Sequence, residues 1–240
     1  ASNKKKEKGS YPVKKEKQPL EWTYEIEYKN KGVVMCGTDE AGRGPLAGRV
    51  YAAAVVLDEK FKDDPVFKAL DDSKKLTEKK RFEIAPKIKE LALSSCVAYS
   101  TVAEIEEINI LNAALLAMRR AISGLSLDRN LVTGEFLADN CLSFVGGKQV
   151  DPGFAVVDGS VCRDFQIPAK ALVHGDAISP SVAAASVLAK TERDLYCIDF
   201  LDKTYPGYGF AKHKGYGTKA HYAAIASLGP CPEHRLSFLH

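Results

Sequence analysis

The chain has 240 residues, 45% hydrophobic and 27% charged, with a formal net charge of +3, which is enough apolar material for one ordinary globular core. No apolar run approaches the ~20 residues of a membrane-spanning helix, and the charged N-terminus lacks the apolar centre of a secretory signal. Residues 1–20 carry seven Lys and two Glu, a balance of +5 that leaves the other 220 residues at −2. This excludes a uniformly basic nucleic-acid-binding body, so any phosphate binding has to come from local clusters.

Residues 1–19 read as a disordered Lys-rich tail, and residues 20–240 as a single domain. The first residue is Ala rather than Met, which leads us to expect residues upstream of it. Next, "LEWTYEIEYKNKG" is ambiguous: Trp22, Tyr24, Ile26 and Tyr28 alternate as on a strand, while Leu20, Tyr24 and Tyr28 share a helical face. "VVMCGTD" (33–39) and "VYAAAVVL" (50–57) have strand character, and Gly42, Gly44 and Gly48 permit a tight connection between them. "LTEKKRFEIAPKIKELAL" (76–93) reads as helix, kinked or split at Pro86. "SSCVAYS" (94–100) is a third strand. In "TVAEIEEINILNAALLAMRRAI" (101–122), Thr101 and Glu104 make a capping box. Ile105, Ile108, Leu111, Leu115, Met118 and Ile122 then lay one apolar stripe. "FAVVD" (154–158) and "KALV" (170–173) are short strands, and "SPSVAAASVLAKTERD" (179–194) is a helix capped by Ser179 with Pro180 at its first position. Strands, helices, strands and helix in that order imply an α/β layered domain with a mixed sheet. Six scattered cysteines without a C-x-x-C pair read as reduced, buried thiols. In "CPEHRLSFLH", Cys231, His234 and His240 lack the second ligand pair of a zinc site.

Three acids stand at the ends of elements: Asp39 closes the first strand, Asp158 closes "FAVVD", and Asp176 precedes the helix that starts at Pro180. Taken singly, Asp158 before Gly159 fits a turn residue and Asp176 a helix-start acid. Adjacent Asp39 and Glu40 at the end of an apolar strand are harder to derive from packing. Converging carboxylates raise one another's pKa unless a cation neutralises them. Hard oxygen donors without nearby Cys or His suit Mg²⁺ or Mn²⁺, and two such ions would clamp a phosphodiester displacement. Strand alternation sends Asp39 and Glu40 to opposite faces, so Glu40 serves through its side chain or its backbone carbonyl. "AGRG" is a poor dinucleotide loop, lacking the G-x-G-x-x-G spacing. Its glycines would let a ligand's backbone approach closely.

"GTDEAGRGPLAG" (37–48) closely resembles the opening signature of bacterial-type ribonuclease HII, of the type 2 ribonuclease H family. "DDSKKLTEKKR" (71–81), "EIEEINILNAALLAMRRAI" (104–122), "VVDG", "HGDAISPSVAAASVLAKTERD" (174–194), "YPGYGFAKHKGYGT" (205–218) and "EHRLSF" (233–238) follow in the family's order. The resemblance implies a ribonuclease H-like fold, with a mixed central sheet flanked by helices and a C-terminal helical segment. It further implies a metal-dependent endonuclease that cuts RNA in RNA–DNA hybrids. Such an enzyme also cuts 5′ of single ribonucleotides in duplex DNA, leaving 3′-hydroxyl and 5′-phosphate ends. Asp39, Glu40, Asp158 and Asp176 match the family's four catalytic, metal-binding acids, working with two Mg²⁺ or Mn²⁺ ions. Gly42, Arg43 and Gly44 match the loop that reads the ribose 2′-hydroxyl, and Tyr216 the tyrosine that packs on the neighbouring sugar. Lys74, Lys190 and Arg193 are implied phosphate contacts. Lys75 reads better as a solvated side chain, and His213 and Lys214 either touch the substrate backbone or flank a turn. Asp194 is left as a structural acid.

Two positions depart from the pattern: Arg49 stands where the family has Pro after "GPLAG", and Gly217 where "HKGYPT" has Pro. The second should loosen the loop bearing Tyr216. Residues 124–153 form an inserted loop longer than the expected link, within which "EFLADNCLSFV" could add a strand or helix. Rival readings are a ribonuclease HIII-like enzyme, which would bring its own N-terminal substrate-binding domain, and a noncatalytic nucleic-acid-binding relative, which should have lost an acid. The expected partners are RNA–DNA hybrid and ribonucleotide-containing DNA duplex, with no membrane and a monomeric state. The compartment stays open between bacterial cytoplasm and eukaryotic nucleus or organelle; the Lys-rich tail would fit a eukaryotic source.

Overall fold

The computed structural model describes residues 20–70 and 76–239; the expected tail at 1–19, together with Lys74, Lys75 and His240, lies outside them. In chain order the elements are α1 (Thr23–Asn30), β1 (Met35–Ala41), β2 (Val50–Val56), α2 (Pro65–Ala69), α3 (Glu78–Leu91), β3 (Ser94–Ser100), α4 (Val102–Gly124), α5 (Gly134–Asp139), β4 (Leu142–Gly147), β5 (Phe154–Asp158), β6 (Ala169–Leu172), α6 (Pro180–Leu195), α7 (Asp202–Thr204), α8 (Phe210–His213) and α9 (Lys219–Leu228).

Six strands form one mixed sheet in the order β4-β3-β2-β1-β5-β6. β1 to β4 pair antiparallel, while β5 runs parallel to both β1 and β6. Alternation along β2 and β3 divides their side chains between two cores. Ala53, Val55 and Val97 meet Ile84, Ile88 and Leu188 of α3 and α6. On the other face Ala52, Ala54 and Cys96 meet Leu115, Met118 and Ile122 of α4. Three alanines in the middle of β2 leave room for helices to lie close on both sides. The expected helix–sheet–helix layering is therefore what the residues build.

Several elements differ in detail from the sequence reading. The ambiguous stretch after Leu20 is helix, with Tyr24 and Tyr28 packed toward Met35 and Val156, and Tyr28 stacked on Phe154 at 4.1 Å. Pro86 does not split α3, which runs unbroken for 14 residues. The proline lies on the exposed side, so a single helix bond is lost there, while Ile84, Ala85 and Ile88 anchor the opposite side in the core. α4 has its capping box: Thr101 Oγ1 accepts from Glu104 N at 3.2 Å and Thr101 N donates to Glu104 Oε2 at 2.8 Å. Its stripe is not continuous, however. Asn109 sits at φ 65° and ψ 164°, a region nearly reserved for glycine. Its Oδ1 accepts from Leu111 N and Asn112 N, both at 3.1 Å, and so caps a second helical segment. Ile108 and Leu111 are consequently only half-buried. Within residues 124–153, the "EFLADNCLSFV" stretch supplies both α5 and β4, the strand that extends the sheet beyond β3.

A close approach sets the position of α6. A Cβ on Gly37 in β1 would lie 2.4 Å from the Ser181 carbonyl carbon and from Val182 N, so only glycine lets the first turn of α6 rest on this strand. Ser179 Oγ accepts from Val182 N, as its capping role requires. Gly37→Ala is expected to push α6 off β1 and to cost ~1–3 kcal/mol as an overpacked core site. Thermal unfolding checks this, and an unchanged midpoint would mean that α6 can slide without loss.

Candidate active site

Parallel pairing brings the acids together. Thr38 of β1 lies opposite Val157 of β5, so the next residues on the two neighbouring strands are Asp39 and Asp158. Both stand at carboxyl ends of parallel strands, the edge where open α/β sheets bind ligands. The sheet itself continues: β1 runs on to Ala41, two residues beyond the expected end, because β2 still pairs with it there. Asp176 arrives from the other direction, in the 3₁₀ turn Gly175–Ala177 that leads into α6. Gly175 N donates to Asp158 Oδ1 at 2.7 Å, which ties that turn to the end of β5.

Asp39 and Asp176 are only 5% and 4% exposed. Asp39 points toward α6, where Ser186 hydrogen-bonds it. A cavity of about 470 Å³ is walled here by Asp39, Glu40, Asp158, Ser186, Lys190 and Tyr216. Glu40 and Asp158 also line a second cleft on the α4 side, with Leu111, Leu115 and Met118. The acids thus straddle the sheet edge, as strand alternation requires, and the Glu40 side chain itself reaches the site. Burial, and then the negative charge of Glu40, Asp158 and Asp176, hold the Asp39 carboxyl well above the usual carboxylate range. Such mutual repulsion among oxygen donors fits a hard divalent cation, which would relieve it. Among the described residues no group of three His, Cys, Asp or Glu side chains already stands placed to hold an ion.

The turn after β1 is built on two buried guanidinium groups. Arg235, fully buried, donates through Nε to Gly48 O at 2.9 Å and through Nη1 to Arg43 O at 3.0 Å and Pro45 O at 2.9 Å. Its Nη2 donates to Gly42 O at 2.7 Å. Burial, followed by the nearby Arg193 cation, pushes Arg235 down to about 9, which still leaves it charged at neutral pH. Gly42 has φ +103°, and a Cβ there would meet Arg193 Nε at 2.1 Å. Gly44 faces the Tyr216 ring, 3.7 Å from where its Cβ would be. Arg43 is exposed, with Nη1 3.4 Å from Glu40 Oε1.

Arg193 is a correction. Expected as a phosphate contact, it is 0% exposed and donates to Ala47 O, Arg49 O and Lys214 O at 3.1–3.4 Å. The face it shares with Lys190 at i, i+3 turns inward at its last turn, so the side chain braces the turn instead of meeting solvent. Lys190 does line the cavity, with Nζ 2.6 Å from Asp194 Oδ1. The other oxygen of buried Asp194 accepts from Arg81 Nη2 at 3.1 Å. Arg81 lines the same cavity but received no role from the sequence. Its only signal was its place at the end of "DDSKKLTEKKR". Arg235 and Ser186 were likewise missed, although both lie inside quoted blocks. Lys74 lies outside the described residues.

His213 and Lys214 flank a turn: Gly215 N donates to His213 Nδ1 at 3.2 Å, and Lys214 Nζ lies 3.3 Å from Glu78. Tyr216 is 43% exposed above the cavity. Despite Gly217, its loop is tied on both sides, by Leu46 N to Gly215 O at 2.8 Å and Thr218 N to Tyr216 O at 2.8 Å. Tyr222 fills the space beside Gly217, 3.1 Å from a built Cβ. Arg49 is accounted for by its surroundings, with its guanidinium 4.3 Å from the Tyr99 ring centre and 4.8 Å from that of Tyr196. Cys231 and His234 touch each other, with His234 Nδ1 accepting the Cys231 N–H at 2.9 Å, while His240 lies outside the described residues.

Burial lowers the pKa of His221 to about 4 and lowers that of His234. An unfolded histidine takes up a proton near 6.5, so these groups bind fewer protons folded than unfolded. Their stabilising contribution is present above about 6.5 and is lost as pH falls toward 4, each at no more than ~1.4 kcal/mol per pH unit. Asp39, with its raised carboxyl, acts in the opposite sense, so the clean test uses Asp39→Asn. Its urea midpoint is expected to fall steadily from pH 7 to 5; a flat profile would mean that the histidines are hydrated when folded.

A family model described as Ribonuclease HII matches residues 36–240. The chain is 50% identical over 204 residues to a ribonuclease HII of Laribacter hongkongensis, covering 85% of this chain and 90% of that protein. It is 48% identical over 206 residues to one of Hyphomonas neptunium, covering 85% and 93%. Among solved structures, the PCNA–RNase HII complex from Archaeoglobus fulgidus matches with a TM-score of 0.60 at 23% identity, covering 85% of this chain and 94% of that one. Bst-RNase HIII in complex with Mn²⁺ matches with a TM-score of 0.56 at 18% identity, covering 82% and 63%. At these identities the structures speak for the fold, and the sequences speak for the family. The chain has the ribonuclease H-like fold, belongs to the ribonuclease HII family, and is a ribonuclease H endonuclease.

Proposed function

We propose that this chain hydrolyses the RNA strand of RNA–DNA hybrids and cuts duplex DNA on the 5′ side of an embedded ribonucleotide, leaving 3′-hydroxyl and 5′-phosphate ends. The observation that carries this reading is one cavity shared by Asp39, Glu40, Asp158, the Gly42–Arg43–Gly44 turn and Tyr216, with the Asp176 charge near enough to act on Asp39. Asp39, Glu40, Asp158 and Asp176 would hold two Mg²⁺ or Mn²⁺ ions, which supply an activated water and steady the leaving oxygen. Mn²⁺ is the ion in the Bst-RNase HIII structure.

The protein's own part is to position and to read. Lys190 and Arg81, anchored on Asp194, put positive charge at the cavity wall for a backbone phosphate. Arg43 adds an exposed cation at the turn. The backbone of Gly42–Gly44 can approach a sugar edge without side-chain bulk, and the 2′-hydroxyl is what distinguishes RNA from DNA there. Tyr216, facing Gly44, would pack on the neighbouring sugar. A monomer is the proposed working unit. The two curated relatives named above are bacterial, favouring the bacterial cytoplasm; a eukaryotic source for the Lys-rich tail finds no support in them.

A ribonuclease HIII-like activity is disfavoured because the matching family model is that of ribonuclease HII. A noncatalytic relative should have lost an acid, and all four are present.

End-labelled DNA duplex carrying one ribonucleotide is the test substrate, with Mg²⁺ or Mn²⁺. A single cut 5′ of the ribonucleotide is expected, abolished by EDTA and lowered at least ~10³-fold in Asp39→Asn, the order associated with losing a central electrostatic group. Cleavage of continuous hybrid alone would remove junction reading from the proposal. Full activity in Asp39→Asn would overturn the site.

A further inference from the structure

Tyr216 stands between Gly215 and Gly217, so its own segment supplies little backbone stiffness. Backbone bonds tie the loop, Tyr216 N to His213 O at 2.9 Å and Thr218 N to Tyr216 O at 2.8 Å, and three imidazole rings add to them from beneath. The Cys231 N–H can only donate, and it points at His234 Nδ1 at 2.9 Å. That nitrogen therefore carries a lone pair, and the proton of the neutral ring is on Nε2. His234 Nε2 lies 3.0 Å from His221 Nε2 and donates to it. His221 must then carry its proton on Nδ1, 3.0 Å from the carbonyl oxygen of Tyr216. Cys231 Sγ and O also lie 3.1 and 3.3 Å from His234 Nδ1, but a proton on that nitrogen would face the closer Cys231 N–H at 2.9 Å, so the order given is the one that satisfies every bond of the chain.

The surroundings lock this arrangement. His221 and His234 are buried. Phe210 meets His221 edge-on at 5.4 Å, and Tyr208 lies 5.1 Å from His234. His213 stacks on His221 at 4.3 Å with rings 20° apart. Its own proton is fixed as well: Nδ1 accepts from Gly215 N at 3.2 Å and Nε2 donates to Tyr208 O at 2.8 Å.

We propose that His221 is a positioning residue for Tyr216, held in its donating tautomer by His234 and the Cys231 amide, and that this relay fixes the tyrosine against the Gly42–Gly44 turn and thereby sets selectivity for a single ribonucleotide. The proposal rests on the reading of Tyr216 as the residue that packs on the junction sugar.

Side-chain chemistry provides the test. Asn at 221 places an amide N–H near Nδ1 and keeps the bond to Tyr216 O; Gln reaches the Nε2 position and does not. At 234 the order reverses, because Gln keeps the donor toward His221 and Asn loses it. The readout is the ratio of kcat/KM on DNA with one ribonucleotide to kcat/KM on continuous hybrid, with the unfolding midpoint of every variant measured alongside. His221→Gln and His234→Asn are expected to lower the ratio about tenfold, the worth of one buried hydrogen bond. His221→Asn and His234→Gln should hold it within about twofold. Tyr216→Ala separates the two ideas. If it leaves the ratio unchanged, the reading of Tyr216 fails. If it lowers the ratio while the four histidine variants stay alike within each pair, the relay is overturned. Should one position fail to fold, the Asn/Gln pair at the other decides alone.

Discussion

The buried guanidinium of Arg235, with four carbonyls of the segment 42–48 around it, is the constraint on which the site depends. A turn rich in glycine is free to adopt many shapes, and a wall of the cavity needs one. Five fixed donors in a planar fork can hold several carbonyls at once in a way a lysine cannot. Arg193 adds donors to Ala47 and Arg49 from the opposite side. Two buried cations lie close together without a carboxylate between them. Carbonyl dipoles stabilise them, which keeps negative charge out of the turn.

Parallel pairing of β1 with β5 does the same organising work for the carboxylates. It sets Asp39 beside Asp158, while glycine at 37 lets α6 close down and bring Ser186, Lys190 and the Asp176 turn to the same edge. Negative charge gathered here at the expense of Asp39's normal ionisation is a strain on the protein alone. Its relief by a bound cation is how such a cluster would become useful.

Much of this could be read from local signals. Ser179 with Pro180, Thr101 with Glu104, and the alternation of the early strands act through neighbouring atoms, and the structure has each of them. Asp39 and Glu40 stood out because paired charge at the end of an apolar strand has no packing reason, whereas Asp158 and Asp176 taken singly fitted a turn and a helix start. What was not legible depends on distant partners. Spacing at i, i+3 puts Lys190 and Arg193 on one helical face but does not say where that face enters the core. Nothing near Asn109 announces a break, since the apolar stripe runs straight across it. Pro86 looked disruptive because its exposure was unknown. Arg235 could gain meaning only from carbonyls some 190 positions earlier.

That separation has a consequence for biosynthesis. Contacts spanning 187 to 193 positions join nearly the first strand to the last few residues, and long-range closure is the slow part of folding. During translation the acids, the sheet and α6 all leave the ribosome before Arg235 does. A nascent chain can therefore assemble its carboxylates while the turn at 42–48 is still loose. The turn takes its held shape only once Arg235 has emerged, so a partly made chain would have its acids in place before the turn beside them is set.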